Sequence, residues 1–229
     1  MTLLEKNLCH PRKLRKMSPS KFLELAEWES YNSPKNKSFV DLDGFKLPFY
    51  SKDEKVIYDH IVKYDLAQII RGQALRIPIP KTEKSFYPDI IYLNHNNEVV
   101  IVEVKSKTNM STYDELVKYH ALRTYCYHQG FHYTMIDKRF TSIQSFCKMN
   151  YNKKLEKMII QHLKTKGLLD SKAVTQLREQ HFSHIKRKNL DKMVTAIIIR
   201  NRYIDEKVNK TQLHVINKKH YMYGLCYCN

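Results

Sequence analysis

The sequence predicts an α/β fold, in which a mixed sheet flanked by helices is followed by a small winged-helix-like C-terminal domain. Three observations indicate this architecture. Two β-branched, apolar runs, at 86–93 and 99–104, are separated by an asparagine-rich turn. Helical periodicity precedes and follows these runs. The last third of the chain has helical patterns and a much larger excess of basic residues.

Composition limits the class of protein. The chain has 229 residues, with 40 Lys and Arg against 23 Asp and Glu, so its formal charge is +17. With 42% hydrophobic residues it can bury a core, which excludes a wholly disordered chain. A positive excess of this size favours a polyanion partner, most often nucleic acid.

Targeting and redox signals point to a cytoplasmic protein. No apolar run approaches the roughly 18 residues that a membrane-spanning helix needs, and we expect no signal peptide and no membrane contact. The five cysteines are scattered, and the terminal Cys226 and Cys228 lack the partners of a zinc site. A reduced cytoplasmic protein is the simplest expectation.

The charge divides the chain into parts. We predict a basic N-terminal arm with a short helix at 1–40, a core at 41–150 and a basic domain at 151–229. The last part has 17 Lys and Arg against 6 Asp and Glu, whereas the first 150 residues have 23 against 17. Within the arm, Ser18 or Ser20 can cap a helix that runs to about Trp28.

The first helix of the core is predicted at 51–64. Ser51 followed by Glu54 is a capping-box pattern. Helical spacing places five residues on one predicted apolar face, namely Val56, Ile57, His60, Ile61 and Tyr64. We expect His60 to be a packed histidine rather than a general base.

The remaining core elements alternate between strand and helix patterns. Strands are predicted at 75–79, 86–93, 99–104 and 131–136, with a turn at 94–97 and a helix at 112–129. Pro78 suits a strand end, and Gly130 suits the position after a helix. The predicted order is therefore helix, three strands, helix, strand.

The central hairpin brings charged residues together. Glu103 and Lys105 are two apart at the end of an apolar strand, so they share a face. A turn at 94–97 would place Asp89 opposite Val102, beside Glu103. Paired Asp and Glu oxygens suit a hard cation such as Mg²⁺, and a lysine can orient water or offset phosphate charge. This set favours phosphodiester hydrolysis.

The same residues carry a family resemblance. Pro88-Asp89, followed by Glu103-Val104-Lys105, resembles the motif of the PD-(D/E)xK nuclease superfamily, over about 52–136. The resemblance implies a restriction-endonuclease-like core. It also implies four catalytic residues: Glu54, Asp89, Glu103 and Lys105. Asp53 and Asp59 are rivals for the place of Glu54. The implied metal is Mg²⁺, with Mn²⁺ as a substitute, held by Asp89, Glu103 and the Val104 carbonyl.

Within that superfamily the layout is similar to TnsA, the endonuclease subunit of heteromeric transposases. An arm precedes the core, a Ser-x-x-Glu helix begins it, and a small basic helical domain follows. Some TnsA-like enzymes have Gln where Glu103 stands, so the chain departs from them there. The partners this implies are DNA, a transposase subunit and its ATPase regulator.

The C-terminal third predicts a winged helix-turn-helix. Helices are expected at 152–168, 171–180 and 186–199, and a hairpin at 203–216. The predicted nucleic-acid contacts are Lys186, Arg187 and Lys188 near the recognition helix, and Lys207 and Lys210 in the wing.

Other functions remain open at the level of sequence. Glu103 and Lys105 alone could be an ordinary ion pair at a strand end. The same fold could serve a restriction, repair or phage-type junction nuclease, or an RNA nuclease. A non-catalytic DNA-binding regulator with a decayed core is a further alternative, although all four motif residues are intact.

Overall fold

The computed structural model describes residues 1–26, 38–42, 45–79, 83–166, 169 and 171–208. The chain divides into two units. The first comprises Met1–Lys107 and Ala121–Ile143, and the second comprises Thr108–His120 and Gln144–Asn229. None of the helices within these ranges combines the length and apolar character that a membrane-spanning helix needs.

Eight strands and six helices are described. In chain order they are α1 (Pro19–Leu25), β1 (Ser38–Leu42), β2 (Phe45–Phe49), α2 (Lys52–Lys63), β3 (Ile69–Gly72), β4 (Ile77–Pro78), β5 (Ser85–Phe86), β6 (Ile90–Leu93), β7 (Val99–Val104), α3 (Tyr113–Gln129), β8 (His132–Ile136), α4 (Lys153–Lys166), α5 (Ser171–His181) and α6 (Arg187–Val208). Short 3₁₀ helices lie at Glu5–Asn7, Asn109–Ser111 and Ile143–Lys148.

The main sheet is mixed and has the strand order β3-β6-β7-β8. Strand β6 pairs antiparallel with both β3 and β7, whereas β7 pairs parallel with β8. The parallel pair needs a crossover connection, and α3 lies in that connection. Two small antiparallel pairs, β1-β2 and β4-β5, stand apart from this sheet. The predicted mixed α/β class is confirmed.

The first strand of the main sheet differs from the prediction. It is β3, whereas the segment expected to fill this place, 75–79, contributes only the two-residue strand β4. Pro78 has no N–H to donate to a ladder, which limits that strand. The predicted strand 86–93 is likewise divided into β5 and β6, because Pro88 interrupts it.

Helix α2 packs on the sheet through a face that the sequence analysis placed differently. Ile57, Tyr58 and Ile61 are buried in the core with strands β6 and β7. Val56 and Tyr64, predicted on the inner face, are exposed. The buried positions follow a spacing of three and four residues that starts at Glu54, which is also buried. A buried glutamate therefore completes the face that apolar residues alone did not define.

The hairpin turn sets the register of β6 and β7. Leu93 pairs with Val99 and Ile90 pairs with Val102, so five residues form the connection. Asn97 adopts a φ of 61°, the left-handed conformation found in bulged hairpin turns. This extra residue moves the pairing by one position. Asp89 therefore continues the register toward Glu103 rather than toward Val102, as predicted.

The described part of the predicted N-terminal arm, 1–26, packs onto the first unit. Leu4 and Phe22 are fully buried. Cys9 exchanges main-chain hydrogen bonds with Tyr133 in β8, at 2.8 and 3.2 Å. Helix α1 begins after Ser18, whose side chain accepts a hydrogen bond from the Lys21 N–H, as predicted. Trp28 lies outside the described residues.

Gly130 ends α3 in a Schellman motif. Its φ is +75°, and the Phe131 N–H donates to the Cys126 carbonyl at 2.9 Å. The N-terminal segment passes directly over it, because the Arg15 N–H donates to the Gly130 carbonyl at 3.0 Å. A Cβ at this position would lie 2.8 Å from the Lys13 carbonyl oxygen. Both backbone conformation and close approach therefore require glycine here.

A buried histidine ties the N-terminal segment to the hairpin turn. His132 Nε2 lies 3.1 Å from a carboxylate oxygen of Glu98, and its Nδ1 lies 2.8 Å from Nδ1 of His10. Because a carboxylate only accepts, Nε2 of His132 carries the proton and a neutral His132 accepts from His10 at Nδ1. Burial lowers the pKa of His132, although the hydrogen bond to Glu98 opposes that effect.

This pKa shift predicts the pH dependence of folding. The unfolded chain takes up a proton at His132 at higher pH than the folded chain, so this group's contribution to the unfolding free energy falls as pH drops below about 6.5. We expect His132→Gln to show a shallower loss of stability between about pH 7.5 and 5.5 in urea unfolding. The control His95→Gln, at the exposed turn, should keep the parent's profile. An unchanged profile for His132→Gln would contradict this role.

The second unit contains three helices close to their predicted ranges. Helices α4 and α5 begin within one residue of prediction, and α6 begins at Arg187. Helix α6 continues to Val208, so the prediction of a strand at Tyr203 and Ile204 is wrong. The segment 187–208 contains neither Gly nor Pro, so nothing in it breaks a helix. The second predicted strand, at 213–216, lies outside the described residues.

Candidate active site

Asp89 lies immediately before β6, where three other elements hold its main chain. Its N–H donates to an oxygen of Glu103 at 3.3 Å. Its carbonyl accepts from the Gln73 N–H, just beyond β3, at 3.1 Å, and from the Tyr58 hydroxyl of α2 at 3.5 Å. Burial raises the pKa of Tyr58, so the hydroxyl stays protonated as a donor. The position of Asp89 is therefore fixed from the helix and from both neighbouring strands.

The Asp89 carboxylate is directed toward the end of β7. One oxygen accepts a hydrogen bond from the Val104 N–H at 2.7 Å, and the residue is 6% exposed. Burial, followed by the charge of Glu103, raises the pKa of Asp89 well above its ordinary value, while Lys105 opposes the shift. A buried carboxylate beside a second one is an unfavourable arrangement for folding alone, and such groups concentrate at functional sites.

Glu103 and Lys105 form the other half of the site. The Lys105 ammonium lies 3.0 Å from one Glu103 carboxylate oxygen. The Glu103 side chain is 3% exposed and the Lys105 side chain 23% exposed, so the lysine connects the buried carboxylate to the surface. The sequence prediction that both side chains project from one face is confirmed by this contact. Two carboxylates and one ammonium leave a net negative charge in a largely buried place.

Glu54 occupies the capping position that its sequence pattern predicts. Its N–H donates to the Ser51 hydroxyl at 3.1 Å, and its carboxylate accepts from that hydroxyl at 2.8 Å and from the Tyr50 N–H at 3.0 Å. It is buried, and its charge also raises the pKa of Asp89. Its role in catalysis stays a prediction, because both oxygens already serve the helix cap.

The two rivals for the place of Glu54 have other partners. Asp53 accepts from Lys138 at 3.0 Å, and Asp59 accepts from Lys55 on the same helix at 2.7 Å. Both are ion pairs at accessible positions, the kind that contribute little to stability. Of the three acids of α2, Glu54 is the one buried beside the core strands.

The donor set suits a hard divalent cation. Asp89 and Glu103 offer carboxylate oxygens with excess negative charge, and oxygen is the donor that Mg²⁺ prefers. Mg²⁺ is commonly bound by one or two carboxylates and retains several waters. Within the described ranges, no group of three or more His, Cys, Asp or Glu could hold a metal ion. The chain's own ligands would therefore be Asp89, Glu103 and the predicted Val104 carbonyl, with water completing the shell.

Two contributors to the site were missed by the sequence analysis. Tyr58 follows Glu54 by one helical turn, and this spacing is a signal that could have placed both on one face. Gln73 adopts a φ of 48°, a left-handed conformation that turns the chain after β3. Its N–H thereby reaches Asp89, and no sequence pattern at this position indicates that contact.

The residues predicted to bind nucleic acid lie in and around α6. Lys186 and Lys188 are exposed at its first turn. Arg187 instead donates to Asp191 at 2.8 Å and to Thr175 in α5, so it also joins the two helices. Lys207 lies within α6 rather than in a wing, because the helix continues past it. Lys210 lies outside the described residues.

Comparisons with known proteins leave the site to be interpreted from its own chemistry. No protein-family model matches the chain, and no curated protein or solved structure matches it either.

Proposed function

We propose that the chain is a Mg²⁺-dependent DNA endonuclease of the PD-(D/E)xK class with a restriction-endonuclease-like core. The observation that carries the proposal is the meeting of Asp89, Glu103 and Lys105 at the end of strands β6 and β7. Asp89 contacts Val104 and Glu103, and Glu103 contacts Lys105, although Asp89 lies 14 residues before Glu103. The order of helix and strands around this site also agrees with the class.

Each residue has a role that follows from its position. Asp89 and Glu103 would hold the cation with their carboxylate oxygens. Bound Mg²⁺ lowers the pKa of a coordinated water and offsets charge on the scissile phosphate. Lys105 is the partly exposed cation of the site, so its ammonium can orient the attacking water or donate to a phosphate oxygen. Water adds to phosphorus, and the bond from phosphorus to the leaving sugar oxygen breaks.

The charge of the chain supports DNA as the substrate. A formal charge of +17 favours association with a polyanion, and the C-terminal part carries most of the excess. We further propose a TnsA-like role, in which the protein cuts donor DNA at a transposon end in the cytoplasm beside a transposase subunit and its ATPase regulator. The winged-helix-like character of the C-terminal domain belongs to this proposal.

Plasmid cleavage tests the proposed activity. Purified protein with supercoiled plasmid is expected to produce nicked and linear DNA in Mg²⁺ or Mn²⁺, and no cleavage when EDTA removes the metal. Linear, branched and RNA substrates in the same assay separate the transposon-end, junction and RNA nuclease alternatives. Salt-sensitive DNA binding without cleavage of any of these substrates, under any divalent metal, would overturn the proposal in favour of a regulator.

A further inference from the structure

Helix α4 of the second unit has a basic solvent face. Leu155, Ile159 and Leu163 are buried and form its inner face. At 100° per residue, the exposed positions of the opposite face are Lys153, Lys154, Lys157, Gln161 and Thr165. Every charged member of this exposed set is a lysine.

These lysines have no acidic counterpart in the described part of the chain. None of Lys153, Lys154 and Lys157 forms an ion pair there. The acid of this helix, Glu156, lies at the edge of the face and accepts a hydrogen bond from the Tyr151 hydroxyl at 3.0 Å. The positive charge of the face is therefore not neutralised locally.

The lysines do not serve the stability of the helix. Lys153 and Lys154 stand in the first turn, where the helix dipole disfavours a positive charge by about 0.3–1 kcal/mol. Lys153 and Lys157 are four residues apart, so they also repel each other. A solvated face needs only polar residues, which Gln161 and Thr165 already supply. An uncompensated set of like charges indicates a partner with the opposite charge.

We infer that this face of α4 is a contact surface for the phosphate backbone of duplex DNA. Lys153 and Lys157 are separated by about 6 Å along the helix axis, close to the roughly 7 Å that two nucleotides of one strand span. Such contacts give affinity without reading sequence. The inference rests on the proposed function for its choice of DNA, and it assigns DNA contacts to α4 in addition to those predicted around α6.

A binding assay without divalent metal tests this surface separately from cleavage. The variant Lys153→Ala/Lys154→Ala/Lys157→Ala is compared with Lys172→Ala/Lys186→Ala/Lys188→Ala, which removes the same charge from other exposed positions of the second unit. Fluorescence anisotropy with a labelled random duplex of about 30 base pairs, in EDTA and over a salt series, gives the affinity and its salt dependence. Alanine favours helix, so both variants should fold, and circular dichroism checks this.

The α4 variant is expected to lose about tenfold or more in affinity and two to three contacts' worth of salt dependence, at roughly 0.9 in log–log slope per contact. The control should lose clearly less of both. An unchanged slope for the α4 variant, an equal loss in the control, or binding to anionic lipid vesicles but not to DNA would overturn the inference. Binding that depends on α4 without any cleavage would overturn the nuclease proposal alone.

Discussion

Asp89→Asn is expected to reduce plasmid nicking by about 10²–10³-fold or more, and Lys105→Ala by a similar factor. Asp89→Asn removes one of two carboxylates that would hold the cation. Lys105→Ala removes the only cation paired with Glu103 among the described ion pairs. The measurement is the initial nicking rate in Mg²⁺ at saturating protein.

Stability measurements distinguish lost chemistry from lost folding. An asparagine at position 89 can still accept the Val104 N–H and no longer repels Glu103, so Asp89→Asn should be at least as stable as the parent in urea unfolding. The matched controls are Asp59→Asn and Lys55→Ala, two exposed changes on α2 that should leave nicking within about twofold. Nicking that survives both Asp89→Asn and Lys105→Ala would remove these residues from the mechanism.

Gly130→Ala is expected to lower the unfolding free energy by about 2–4 kcal/mol. An L-residue at a φ of +75° costs about 1–2 kcal/mol, and the new Cβ would meet main-chain atoms of Lys13 and Arg15 at 2.8 and 2.9 Å. Because those contacts are backbone, relief requires the N-terminal segment to move away from α3. Urea unfolding followed by circular dichroism measures the loss.

Two further variants separate the causes. Gly130→Asn should lose less than Gly130→Ala, because asparagine tolerates the left-handed conformation while still adding a Cβ. Gln129→Ala, one residue earlier on the helix, should change the unfolding free energy by no more than about 0.5 kcal/mol. A loss for Gly130→Ala no greater than that of Gln129→Ala would show that the segment adapts without cost.

The sequence carried enough information to predict the central hairpin and the residues at its end. Strands β6 and β7 are short apolar runs on either side of an asparagine turn, and the alternation of side chains placed Glu103 beside Lys105. The one-residue difference in register arose at Asn97, since a left-handed residue in a turn lengthens the connection without changing its composition. Periodicity defines which residues share a face, but not how many residues a turn uses.

Other parts of the site depended on contacts between distant segments. Strand β3 is only four residues long and follows α2 closely, so its pattern was too short to recognise. Burial of Glu54 contradicts the usual rule that charged residues stay exposed, and only the packing of α2 reveals it. Tyr58 appeared to be an ordinary aromatic residue until its hydroxyl was placed against Asp89. These features follow from tertiary structure rather than from local pattern.

The contact of Cys9 with β8 has a consequence for solubility. Strand β8 is at one end of the strand order β3-β6-β7-β8, and such a strand presents free main-chain groups that can template pairing between molecules. Cys9 occupies part of that border by bonding to Tyr133. Proteolytic removal of the first residues would therefore unmask an adhesive rim, and the shortened molecule would be prone to self-association through its backbone.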